Sequence, residues 1–180
     1  MEFSFSSYSD IMGVSYSFSS EIIRPIPPQY QVFINFRGEL RRFVKVLVDD
    51  LKEELVNVFV DEDAVRGEDL ETLFAEIEKS RIAVTIFSER YTESKWCLNE
   101  LVKINECMDK GKLDVFPVFF NVKAEDVKKL EGNFGENFRT TSSRDKKRTN
   151  KWKKALTSVS GKFGLSSQIR FSLSCPFPLF

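Results

Sequence analysis

Four short apolar runs, at residues 32–36, 56–60, 82–87 and 115–120, set the terms on which this chain can fold. Each is rich in Val, Ile and Phe and of strand length, and the stretches between them are long enough for helices. Strands that alternate with helices return in the same direction, so the spacing predicts an α/β fold: a parallel sheet flanked by helices. The intervening segments agree. Leu47, Val48 and Leu51 share one face of a first helix, and Leu70, Leu73, Phe74 and Ile77 share one face of a second. A third is expected over residues 95–108, with Ser94 as its N-cap and Cys97, Leu98, Leu101, Val102, Ile104 and Met108 as its core stripe. Glu100 falls at the edge of that stripe, beside Trp96 and Lys103 at helical spacing.

At 180 residues and 42% hydrophobic, the chain can bury one core but not two. Pro25, Pro27 and Pro28 end a Ser- and aromatic-rich opening. Residues 1–29 are therefore read as a disordered leader, 30–165 as the domain and 166–180 as a divergent tail. The leader lacks the basic start of a signal or transit peptide, and no apolar run approaches the ~20 residues of a membrane span. The three cysteines follow no metal-ligand spacing, and Cys97 and Cys107 lie about 15 Å apart on one expected helix. This pattern fits a reducing compartment, the cytoplasm and also the nucleus. Lys+Arg and Asp+Glu balance at 27 each, so no global field draws the protein to nucleic acid or membrane. The segment 139–154 is strongly basic, but Trp152, Ala155, Leu156 and Val159 keep helical spacing within it. A solvated helix face therefore explains the charge better than a nucleic-acid site.

The chain contains no histidine. Ser-His-Asp and Cys-His mechanisms are excluded, and chemistry must run on carboxylates, Arg, Lys, Tyr or backbone groups. In open α/β sheets, ligands bind beyond the carboxyl ends of the strands, and the loops there are unusual. The first carries Phe36-Arg37-Gly38-Glu39, the second Arg66-Gly67 within a charged stretch, and the third leads through Ser94 and Trp96 to Glu100. Arginine offers a fork suited to phosphate, and glycine permits close backbone approach. Taken singly, each has a plainer reading. Arg37 and Arg66 could staple the fold by pairing with carboxylates such as Glu39 or Asp61, Trp96 could be core or rim packing, and Glu100 a solvated helix carboxylate.

The stretches FINFRGELRRF, VFVDEDAVRGEDL, IEKSRIAVTIFSERYTESKWCLNELVKI and VFPVFFNVKAEDVKKLEGNFGENF, in this order, resemble a plant Toll/interleukin receptor (TIR) domain of the TIR-only or phloem-lectin-like type. The resemblance covers roughly residues 30–165 and implies a flavodoxin-like fold. It further implies cleavage of the nicotinamide–ribose bond of NAD⁺, with hydrolysis or cyclisation to follow, in plant immune signalling. Under it Glu100 is the catalytic carboxylate. Phe36 and Trp96 pack on the substrate, Ser94 shapes the pocket, Gly38 lets the backbone approach and Arg37 and Arg66 face the pyrophosphate. NAD⁺ is substrate rather than cofactor, no metal is implied, and other TIR domains are the implied partners.

Several positions depart from the family's pattern. Lys45 and Val46 stand where a self-association surface usually carries Ser-His, Leu40 replaces an acid, and Leu55 stands where glycine is usual before the second strand. A leucine there is strained if its φ is positive. After Leu165 the sequence does not resemble the family's last strand and helix. Residues 169–173 are a candidate fifth strand, and Pro176 and Pro178 forbid a long helix beyond it, so the final helix is expected to be missing and the domain truncated. These departures support an alternative, a non-enzymatic adaptor or decoy that pairs with TIR-type receptors.

Overall fold

The structure is a computed structural model that describes residues 32–60 and 70–166, Leu70 by its backbone only. Its elements run β1 (Val32–Phe36), α1 (Arg41–Glu53), β2 (Val58–Val60), α2 (Leu70–Lys79), β3 (Ile82–Ser88), α3 (Lys95–Asp109), β4 (Asp114–Phe120), α4 (Ala124–Lys129), α5 (Gly132–Ser143), α6 (Lys146–Ser160) and β5 (Leu165–Ser166). The strands form one parallel sheet in the order β2-β1-β3-β4-β5. The flavodoxin-like α/β expectation is met.

Strand alternation divides the core into two faces. Phe33, Ala83, Phe87, Val115 and Phe119 point to one side, where α2 through α6 pack. Val32, Ile34 and Ile86 point to the other, where Val44 and Val48 of α1 cover them. The first face is the denser. Leu98, Leu101, Ile104, Leu156 and Trp152 are fully buried there, and each such side chain contributes about 1.5–3 kcal/mol. An exposed ion pair such as Lys129–Glu125, at 2.8 Å, is screened by water and adds little beside this. Packing on α3 therefore decides the architecture. Two polar contacts index it: Trp152 Nε1 donates to Asn99 Oδ1 at 3.0 Å, joining α6 to α3, and Lys103 lies 5.7 Å over the Phe74 ring while pairing with Glu78, joining α3 to α2.

The α1 face is less complete. Ile82, Val84, Val118 and Phe120 are only half-buried, and Phe116 is 49% exposed. Residues 167–180, including the candidate strand 169–173 and Cys175, lie outside the described residues, as do the leader and Arg66. The fifth strand that is described begins earlier than expected, at Leu165, beside Val118. Gly164 explains the early entry: a Cβ there would stand 2.4 Å from the Pro117 carbonyl oxygen and 2.6 Å from its ring, so only glycine lets the chain close onto β4 at this point.

The second strand is shorter than its apolar run, because the run's first residues end α1 instead. Leu55 has φ 61, its N–H donates to the Lys52 carbonyl at 3.0 Å, and the Val56 N–H reaches the Leu51 carbonyl at 2.9 Å. These are the paired hydrogen bonds of a Schellman motif, whose left-handed position is normally glycine. The expectation of strain at Leu55 is met, and its side chain gains nothing in return, being 90% exposed. Leu55→Gly should accordingly stabilise the domain by about 1 kcal/mol. Urea unfolding with an unchanged m-value would read this as a higher midpoint, and a lower midpoint would contradict the left-handed cap.

Candidate functional site

β1 and β3 are neighbours in the sheet, yet β1 leads to α1 on one face and β3 leads to α3 on the other. This divergence is the topological switch point of such a sheet, the place where ligands of open α/β sheets bind. Ser94 fixes the start of α3 at that edge. Its side chain accepts a hydrogen bond from the Cys97 N–H at 3.2 Å, the N-cap that the sequence predicts. Trp96 follows, half-buried against the α3-side core, and one turn later comes Glu100.

Glu100 is not at the rim but inside, with 3% of its surface exposed. An ionised carboxylate taken out of water without partners costs several kcal/mol, so its surroundings must supply donors. Asn35 does so. It is the one polar residue of the β1 run, fully buried, on the same side of the strand as Phe33. Its Nδ2 donates to Glu100 Oε2 and lies 3.5 Å from the Cys97 carbonyl oxygen, while its Oδ1 accepts from the Tyr91 hydroxyl. The Tyr91 oxygen also lies 3.1 Å from the Cys97 carbonyl. Tyr91 belongs to a short 3-10 turn, Tyr91–Glu93, and its ring meets Phe87 edge-on at 5.0 Å. Burial pushes the Tyr91 hydroxyl well above its usual value, which keeps it a neutral donor. Burial also pushes the Cys97 thiol up to about 12, with the Glu100 carboxylate adding to the effect. The thiol donates to the Phe36 carbonyl at 3.2 Å. Cys97 is thus a packed, protonated thiol rather than a nucleophile.

A second, more exposed cluster ties the first loop to the third. Arg37 pairs with Glu93 at 2.8 Å and lies 3.8 Å from Glu39, and Arg90 holds Glu93 through two contacts of 2.9 Å. Ser88 donates its hydroxyl to Glu39. The Arg90 hydrogen bonds, with the charge of Arg37, hold Glu93 below the usual carboxylate range. The staple reading of Arg37 describes this arrangement. Gly38 opens a 3-10 turn, and a Cβ built on it would meet nothing within 4 Å, so the ground before it is open. The Phe36 ring packs with the α1-side cluster, away from Asn35 and Glu100, although its carbonyl faces Cys97. The described structure thus gathers Ser94, Trp96 and Glu100 on the first turns of α3 with Arg37 and Gly38 in the adjoining loop, and seats Phe36 on the opposite side.

Asn35 and Tyr91 are absent from the residues that the sequence singles out. One signal was there: an asparagine inside the otherwise apolar run VFINF, at a position facing the core, needs a buried partner. Elsewhere on the same edge, a concavity of about 350 Å³ lies at the ends of β3 and β4. Its lining sets Glu89, Asp126 and Glu131 against Lys123, an acidic balance that repels polyphosphate. Among the described residues, no group of three or more Cys, Asp or Glu side chains could hold a metal ion, and no helix is long and apolar enough to cross a membrane.

Carboxylates are the groups that stabilise positive charge growing on a sugar ring in glycosidic cleavage, which makes Glu100 the candidate for such chemistry. Comparison with known proteins identifies the framework around it. The TIR domain family matches residues 29–171. Vesicle-associated protein 1-4 of Arabidopsis thaliana is 54% identical over 148 residues, covering 79% of this chain and 26% of that protein. Disease resistance protein RPS4B of the same plant is 47% identical over 143 residues, covering 78% of the chain and 12% of that protein. Protein PHLOEM PROTEIN 2-LIKE A8, also from Arabidopsis thaliana, is 44% identical over 146 residues, covering 78% of the chain and 41% of the relative. The chain therefore spans less than half the length of each. Among solved structures, the TIR domains of the activated Roq1 resistosome that recognises the effector XopQ align with a TM-score of 0.71 at 36% identity, covering 79% of this chain and 90% of theirs. The sheet order, the capped α3 helix and these matches lead to one conclusion: the chain belongs to the TIR domain family.

Proposed function

We propose that this TIR domain cleaves the nicotinamide–ribose bond of NAD⁺, with Glu100 as the catalytic carboxylate, in plant immune signalling in the cytoplasm or nucleus. The observation that carries the reading is a buried glutamate, held by hydrogen bonds at the carboxyl edge of a parallel sheet, one turn after a tryptophan. As the bond from ribose C1′ to the pyridinium nitrogen breaks, its electron pair leaves with nicotinamide and the ribose acquires oxocarbenium character. A carboxylate beside it lowers that barrier, and transfer to water yields ADP-ribose and a proton, whereas an internal hydroxyl yields a cyclic product. Trp96 supplies an apolar wall, Ser94 holds the helix start, Phe36 and Gly38 shape the neighbouring loop, and Arg37 and Arg66 provide positive charge toward the pyrophosphate. Arg37 reaches it by exchanging its pairing with Glu93. Glu100→Gln keeps size and removes charge, and should lower nicotinamide release by about 100-fold or more with an unchanged melting curve. Release near the wild-type rate from the folded variant would remove Glu100 from the mechanism.

A second reading, an adaptor that pairs with other TIR domains, draws on a separate observation. Lys45 and Val46 are exposed on α1, Val46 to 53%, and a TIR-containing resistosome is among the similar structures. Under this reading, binding to a second TIR domain in analytical ultracentrifugation persists in Glu100→Gln and falls at least about tenfold in Val46→Asp, since a charge buried in an interface without a partner is costly. Equal affinity in Val46→Asp would discount this face of α1.

A further inference from the structure

We propose that Asn35 and Tyr91 are positioning residues that hold the Glu100 carboxylate in one orientation, Tyr91 acting on the carboxylate only through the Asn35 amide. The inference rests on the reading of Glu100 as the catalytic group.

The geometry assigns each atom a direction. An asparagine side chain has a donor end and an acceptor end, and rotation by half a turn about its last bond exchanges them at almost no steric cost. With Nδ2 toward Glu100, the amide gives a charge-assisted hydrogen bond to Oε2. With the ends exchanged, a carbonyl oxygen would face a carboxylate in the protein interior. The Tyr91 hydroxyl prevents the exchange, because its proton goes to Oδ1 and marks that end as the acceptor. Tyr91 is itself held by edge-on packing on the Phe87 ring at 5.0 Å, and the Cys97 carbonyl, at 3.1 Å, is a second acceptor within reach of its single proton. That carbonyl belongs to the same helical turn that carries Glu100, so the chain from the Tyr91 hydroxyl through the Asn35 amide of β1 to the carboxylate lies against one turn of α3. A carboxylate on a helix has free rotation about its terminal bonds. This one has an oxygen pinned from the strand, and the direction from which it meets a substrate is set before the substrate arrives.

The test uses Tyr91→Phe and Asn35→Leu beside the wild-type protein, with NAD⁺ as substrate. Tyr91→Phe keeps the ring and its packing on Phe87 and removes only the proton, so it preserves the fold should Asn35→Leu fail to fold. Tyr91→Phe is expected to lower kcat between about 10- and 100-fold while KM stays within twofold, the mark of a displaced catalytic group rather than a lost binding contact. A structural readout accompanies it. In ¹⁵N-edited NMR spectra, the two Asn35 side-chain amide protons should be widely separated in the wild type, one being shifted by the carboxylate. That separation should shrink both in Glu100→Gln and in Tyr91→Phe. A Tyr91→Phe protein with wild-type kcat and an unchanged Asn35 amide signal would overturn the inference. Should the wild type release no nicotinamide, the glycohydrolase reading fails on its own. The NMR signal then decides whether Tyr91 orients the amide that holds Glu100, and an unchanged signal overturns that as well.

Discussion

One hydrogen bond, from the amide of Asn35 to the carboxylate of Glu100, constrains this domain more than any other polar contact described. It joins the middle of the sheet to the helix that carries the catalytic candidate, in a region from which water is excluded. Hydrogen bonds to charged groups are worth about 1.5–3 kcal/mol, and leaving such a group buried and unpaired costs at least as much. Strand β1 and helix α3 therefore cannot slide past one another by a residue without exposing or stranding a charge. Apolar packing around Leu98, Leu101 and Ile104 holds α3 against the sheet, but packing alone tolerates small shifts. The polar pair removes that freedom at the point where chemistry needs it least.

The surface charge works differently. Arg37, Glu39, Arg90 and Glu93 form a partly exposed mesh between the first and third loops, and such pairs exchange partners at little cost. The basic stretch from Arg139 onward resolves into the end of α5 and the whole of α6, with Trp152, Ala155, Leu156 and Val159 turned inward. Lys95 lies 3.7 Å from Asp145 and Lys154 lies 3.5 Å from Asp109, so part of the positive charge is answered within the fold. The sequence reading of a solvated helix face describes this region.

The strands β1, β3 and β4 were legible to within a residue because parallel strands with helices packed on the sheet are written as near-continuous apolar runs. The helix α3 was legible because its cap and stripe are both local signals. Helices α4 and α5 were not named by the sequence analysis. The first is six residues long and mostly charged, it ends on Leu130 at φ 58, and the glycines at 132 and 135 read as loop. The pairing of β5 at Leu165 was not legible because its cause, the fit of Gly164 against Pro117, joins residues far apart in the chain. The same holds for the site. Glu100 was found through the motif around it, whereas its burial and its dependence on Asn35 and Tyr91 arise only when β1, the turn after β3 and α3 meet.

The brevity of β5 leaves a last consequence. It pairs with β4 only at Val118 and Phe119, and Gly164 lies against Pro117, so that among the described residues the stretch from Asp114 to Phe116 forms a bare margin of the sheet. A bare strand margin is a template on which further chains can add, the first step toward fibrous aggregates. Here the template is spoiled within its own sequence. Pro117, buried under Gly164, ends this margin without an N–H, and exposed Asp114 places a charge where a stacked copy would place the same charge. The half-exposed Phe116 between them is the residue most in need of such guarding. Spoiled in this way, the margin of β4 is closed to edge-to-edge pairing with further chains.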